Sequence, residues 1–212
     1  MPAAVVMIVL TLDAALPGCS AGLVSDDKVL AERHLDGARG HAAALPEMAA
    51  AVLAEAGIAA AALSMVAVTV GPGSFTGLRA ALSLAHGIGA AAGVPVAGVT
   101  VGEALDVPAD DRLQWAAVDT RRGRVFLDCG GNVRSVALDK LPAPARPVTV
   151  GGDAGAVVAE RLAGAGYDVR LGQAWPGPAG IAAAALRRAA AGLAPRPAQP
   201  LYVDPPEARP GG

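Results

Sequence analysis

Val70-Gly71-Pro72-Gly73-Ser74-Phe75-Thr76-Gly77-Leu78-Arg79 lies between an apolar run, residues 63–70, and a helix-like stretch, residues 80–92. A strand that breaks through glycines straight into a helix is where α/β proteins place bound anions. The helix N-terminus offers unpaired N–H groups and a partial positive charge. Three familiar glycine loops do not fit. A P-loop needs Gly-Lys followed by Ser or Thr, whereas Leu78 and Arg79 follow Gly77. A dinucleotide fingerprint needs a third glycine where Thr76 stands, and Pro72 removes an amide. A nucleophile elbow needs glycines two residues either side of its serine, whereas Gly73 abuts Ser74. Chemistry alone leaves an anion site, or a structural strand-to-helix turn in which Ser74 or Thr76 caps the helix.

Upstream, residues 5–12 form a continuous apolar run ending at Asp13, the pattern of a buried central strand. Strands over 20–24 and 28–35, either side of Asp26-Asp27, complete a meander. A glycine-bearing loop then opens a helix over 41–56, closed by Gly57, with Leu45, Met48, Val52 and Leu53 at helical spacing. A strand over 63–70, the glycine turn, a helix over 75–92 and a strand over 95–99 follow. The second half repeats this order in shortened form. A strand over 113–119 ends in Asp119, and strands over 125–129 and 133–138 return from the turn at Arg122-Gly123. A proline-rich linker at 141–147 leads to a strand over 148–150, a helix over 154–163, a strand over 167–171 and a helix over 179–193. The expected division is a lobe at 1–108, a shortened lobe at 109–193 and a proline-rich tail at 194–212, poorly suited to folding alone.

Two meander-plus-helix lobes, each offering an aspartate at a hairpin mouth, resemble the actin-like ATPase and sugar-kinase superfamily. This is an α/β, ribonuclease H-like fold with a mixed sheet flanked by helices in each lobe. The resemblance implies hairpins that grip nucleotide phosphates and magnesium from opposite sides. It makes Asp13, Asp119 and Arg121 candidates for a degenerate nucleotide site. The plain alternative is that each aspartate merely caps a turn.

Composition narrows the function. The chain has 212 residues, 53% of them hydrophobic, and a formal net charge of −2. No basic excess exists to hold a nucleic-acid backbone. Aromatics make up 3%, too few for a base-stacking platform, so any nucleic acid is expected to be held by a partner. Leu16-Pro17-Gly18-Cys19 looks like a lipoprotein cleavage box, but no Lys or Arg precedes the apolar run and Asp13 interrupts it. Cys19 and Cys129 form neither a disulfide framework nor a metal spacing. A cytoplasmic chain with no membrane span is expected.

Within the superfamily, Gly71-Pro72-Gly73-Ser74-Phe75-Thr76-Gly77-Leu78-Arg79 resembles the signature of the bacterial TsaB family of tRNA threonylcarbamoyladenosine biosynthesis subunits. Leu10-Thr11-Leu12-Asp13, Cys19-Ser20-Ala21-Gly22-Leu23, and His41 with Leu45-Pro46 resemble its opening elements. Ala116-Ala117-Val118-Asp119-Thr120-Arg121-Arg122-Gly123-Arg124-Val125-Phe126 resembles its second hairpin, and Pro200-Leu201-Tyr202-Val203 its terminal motif. The match is dense over residues 9–100 and patchy afterwards. Ala14 stands where the family carries a hydroxyl, Arg124 where it carries an acid, and Asp204 where arginine is common; each weakens the expectation of nucleotide binding.

The related catalytic subunit TsaD holds a metal through a His-x-x-x-His pair after the strand equivalent to 95–99. Here that segment, Val99-Thr100-Val101-Gly102-Glu103-Ala104-Leu105, has no histidine, and His34, His41 and His86 form no ligand pair. Solvated or capping roles are expected for all three. The resemblance therefore implies a non-catalytic subunit without a metal or a required cofactor, with room for weak ATP or ADP binding. Its partners would be TsaD, TsaE or a second copy, with tRNA reached through the complex. The helix over 75–92 is apolar most of the way round, and the helix over 41–56 is poor in charge. Leu45, Met48, Val52, Leu78, Leu82, Leu84 and Ile88 are the expected partner surface. An active ATPase or small-molecule kinase using Asp13 and Asp119, and a metalloprotease-like hydrolase, are the competing readings.

Overall fold

The computed structural model describes residues 6–37, 40–106 and 110–203. Residue 5 of the expected first strand, the tail beyond Val203 and Asp204 lie outside them. The first lobe runs β1 (Ile8–Asp13), β2 (Gly18–Ser25), β3 (Lys28–Asp36), α1 (His41–Ala56), β4 (Met65–Gly71), α2 (Phe75–Ala92), β5 (Val96–Thr100) and α3 (Val101–Leu105). The second runs β6 (Leu113–Asp119), β7 (Arg124–Cys129), β8 (Val133–Ala137), β9 (Val148–Gly151), α4 (Gly155–Gly164) and β10 (Val169–Leu171), and α5 (Pro178–Ala190) is the last element among the described residues.

The two sheets share one topology. The first has the order β3-β2-β1-β4-β5 and the second β10-β9-β6-β7-β8, which is the same order read from the other edge. In each, a meander supplies antiparallel pairs; β4 and β9 pair in parallel with the central strands β1 and β6, and β5 and β10 pair in parallel with β4 and β9. β1 is apolar at successive positions because both its faces are covered. Leu10 and Leu12 pack with Leu45, Val52, Ala81 and Leu82 beneath α1 and α2. Val9 points the other way, into a cluster with Ala97, Ile181 and Ala185.

Helix ends follow local chemistry. The Ser74 side chain accepts a bond from the Gly77 amide and starts α2, and left-handed glycines stop α1 and α2 at Gly57 and Gly93. α3 escaped the sequence reading although Thr100 and Glu103 form a reciprocal capping box.

Three segments find their places in the structure. First, α5 does not belong with the second sheet, as the division at 109–193 had it. Ile181, Ala182, Ala184 and Ala185 pack against Val9, Val24, Met65 and Ala67 of the first. Without α5 that face would be bare. Its small residues also allow close contact with α3, since a Cβ at Gly180 would lie 2.0 Å from the Ala104 carbonyl oxygen. Second, the described tail is laid along β4 and β5. The Gly98 amide donates to the Arg196 carbonyl (2.8 Å) and the Leu201 amide to that of Val70 (2.7 Å), while Ala198 is buried. Third, the lipoprotein-like box forms the β1–β2 turn, with Cys19 fully buried in β2. Among the described residues no helix is long and apolar enough to cross a membrane.

Candidate functional site: the glycine loop and the junction between the lobes

The glycine loop is occupied by the chain itself. The Ser74 amide donates to the Ala15 carbonyl at 2.7 Å. A Cβ on Gly73 would lie 2.0 Å from that same oxygen, and one on Gly77 2.2 Å from the Ala14 carbonyl oxygen. Backbone cannot yield as a flexible side chain can, so both positions exclude any larger residue. These glycines let the β1–β2 turn seat on the start of α2. Ser74, not Thr76, is the N-cap.

The second lobe repeats the device at a place that sequence reading passed over. Gly151-Gly152-Asp153 follows β9 as the glycine loop follows β4. A Cβ at Gly152 would lie 2.2 Å from the Ala117 carbonyl oxygen, which also accepts from the Ala154 amide. A glycine pair closing a strand before a helix was the available signal.

The two candidate aspartates sit in unlike surroundings. Asp13 is 3% exposed and accepts from the Thr69 hydroxyl (2.5 Å) and the Ala15 amide (3.1 Å). Asp119 is exposed, accepts from the Arg121 amide and pairs with the Arg121 guanidinium at 3.5 Å. Arg121 therefore serves its own hairpin. Asp153 accepts from the Asp119 amide; burial pushes its carboxyl up, that amide opposes the shift, and the Asp119 charge adds to it.

Between the two hairpin mouths lies an apolar plug. Ala15 and Leu16 from the first hairpin meet Val118 and Phe126 from the second, with Leu78, Val101 and Leu105 from α2 and α3, and Trp175 from the segment before α5. Behind the plug, Asp128 is buried against α3, and its carboxylate oxygen leaves no room for a Cβ on Gly102 (2.0 Å). Burial pushes the Asp128 carboxyl up, the Gly131 amide opposes this, and the charges of Glu103 and Asp106 add to it.

The expected partner surface divides in two. Leu45, Val52, Leu78 and Leu82 are each at most 5% exposed and belong to this chain's own core. An alanine-rich helix does not reveal in sequence which stripe meets the sheet. Met48, Leu84 and Ile88 are half-buried and remain at the surface. Phe75 is exposed at 55%, with the Arg79 guanidinium 3.8 Å from its ring centre, and Thr76 is also exposed. His34 and His86 are exposed, as expected, and each also has a specific contact: His34 stacks on Trp175, and His86 bonds the Ala198 carbonyl at 2.9 Å; the His41 side chain lies outside the described structure.

Paired mixed sheets of common order, joined through their hairpin mouths, define an actin-like ATPase, ribonuclease H-like class of protein. A model of the family described as TsaD, tRNA N6-adenosine threonylcarbamoyltransferase, matches residues 29–178. An uncharacterized Mycobacterium tuberculosis protein is 35% identical, over 95% of this chain and 94% of its own length. Escherichia coli tRNA threonylcarbamoyladenosine biosynthesis protein TsaB is 31% identical over 57% of this chain and 53% of its own length. YeaZ from Pseudomonas aeruginosa superposes with a TM-score of 0.73 at 25% identity, covering 92% of this chain and 99% of that one. The chain belongs to this threonylcarbamoyltransferase-type family, on its TsaB (YeaZ-like) branch.

Proposed function

We propose that this chain is a non-catalytic scaffold subunit in the biosynthesis of threonylcarbamoyladenosine on tRNA, at the adenosine following the anticodon. It docks the catalytic TsaD subunit and works beside the ATPase TsaE. The observation that carries this reading is the plug. The cleft that would hold a nucleotide is filled by Leu16, Val118, Phe126 and Trp175, and the glycines beside it are taken by the carbonyls of Ala14 and Ala15. Asp13 is itself engaged within the lobe, with Thr69 and Ala15 as partners.

The docking surface is narrower than the one the sequence suggested. Met48 on α1, with Leu84 and Ile88 on α2, forms a half-buried apolar seam on the outside of the first lobe. A charge placed there meets water in the free chain and an apolar partner in the complex. Leu84→Glu and Ile88→Glu should leave the fold intact and abolish co-purification with TsaD. Normal assembly by both variants removes this surface from the account. Turnover of ATP by the purified chain alone, stopped by Asp13→Asn, would overturn the non-catalytic reading.

A further inference from the structure

Two chain segments join the lobes. The second, between β10 and α5, is pinned at both ends. On one side the Gly152 amide of the second lobe donates to the Gln173 carbonyl at 2.8 Å. On the other, Pro178 presses on β2 of the first sheet so closely that a Cβ on Gly22 would lie 2.3 Å from it. Trp175 lies between these anchors. Its ring takes part in the plug and also stacks on His34 of β3, with ring centroids 4.1 Å apart and an interplanar angle of 28°. The His34 side chain is only 24% exposed although it sits on an edge strand. Its ring is held from the far side by Asp36, whose carboxylate lies 2.8 Å from Nε2. Gly18, on β2 beside β3, leaves space for the imidazole: a Cβ there would lie 3.3 Å from its Cε1.

We infer that His34 and Trp175 form an inter-lobe latch that holds the plug shut. The stack binds the connecting segment to the outer strand of the first sheet, and Trp175 carries that restraint to Leu16, Val118 and Phe126. The plug joins residues of the two hairpins, α2 and α3; the latch fixes Trp175, its residue from the connecting segment. Opening the cleft requires the indole to leave both the imidazole and the plug together. The latch does not rest on the scaffold reading, since a cleft that binds ligand would need it to open.

Amide exchange on the full chain tests this, comparing wild type with His34→Ala and His34→Phe. An aromatic pair contributes enough that losing it should speed local opening by about tenfold. In His34→Ala, exchange at the plug amides, Leu16 and Val118, should rise by that factor, while the central amides of Leu10 and Val68 keep their protection. His34→Phe retains a ring for the indole and should keep the plug protected. Unchanged plug exchange in His34→Ala overturns the latch. So does a rise spread equally over the central strands, or a His34→Phe variant that opens as readily as His34→Ala.

Discussion

The two lobes have the same sheet order and different cover. The first sheet carries α1 and α2 on one face and α5 on the other, and the tail lies along it. The second has α4 on one face, with Val158 and Leu162 packed on Trp115, Val148 and Val150. Between β8 and β9, where the first lobe has α1, it has a short 3₁₀ turn (Leu138–Lys140) and a proline-rich linker. Its inner face is covered instead by α3 and the plug, so Phe126 and Asp128 lean on elements of the other lobe. The second lobe thus completes the burial of its inner face against elements of the first.

Equivalence of the two glycine turns gives the largest expected effect. Gly73→Ala and Gly152→Ala each drive a methyl group into a backbone carbonyl and should each cost about 3 kcal/mol, measured by urea unfolding. A tolerated Gly152→Ala would break the correspondence between the lobes. Next comes the inner against the outer stripe of α2. Leu82→Glu buries a charge in the first core and should unfold the chain or cost several kcal/mol, roughly 3–5. Leu84→Glu should cost about 0.5 kcal/mol and act on assembly alone. The aspartates sharpen the contrast further. Thr69→Val leaves the buried Asp13 short of a donor and should cost about 1–3 kcal/mol, whereas Asp119→Asn at the exposed mouth should stay within about 0.5 kcal/mol.

The junction behind the plug predicts a pH effect. The Asp128 carboxyl is pushed up by burial, so the folded chain holds a proton that the unfolded chain has lost at the same pH. Stability therefore falls as pH rises from the ordinary aspartate value through the raised one. Asp128→Asn should remove that fall, gaining on wild type as pH rises in thermal melts. Glu103 has the opposite sign. Burial would raise it, but the Thr100 amide and the Arg196 guanidinium win and hold it below the usual range. Its stabilisation is present above the ordinary glutamate value and is lost as pH falls through the lowered one. Gly87→Ala on α2, where a Cβ meets nothing within 4 Å, should stabilise by about 0.5–1 kcal/mol.

Much of this fold could be read from local punctuation. Gly57, Ser74 and Gly93 fixed the limits of α1 and α2, and the apolar run ending at Asp13 marked a strand covered on both faces. What escaped depends on which surfaces meet. Nothing local says that α5 crosses back to the first sheet, because its alanines suit either lobe. Helical spacing groups Phe75, Leu78, Leu82 and Ala85 in one stripe and Ala81, Leu84 and Ile88 in another, but that Phe75 is exposed and Ala81 buried is settled only by the sheet beneath. Gly151-Gly152 was legible and overlooked. The stack of His34 on Trp175 joins positions far apart in sequence and left no local signal.

Calorimetric titration of the purified chain with magnesium ATP tests the filled cleft most directly. The account predicts no saturable heat up to millimolar nucleotide, with Trp175 still shielded from solvent. Stoichiometric binding in the cleft, with Trp175 released, would contradict it.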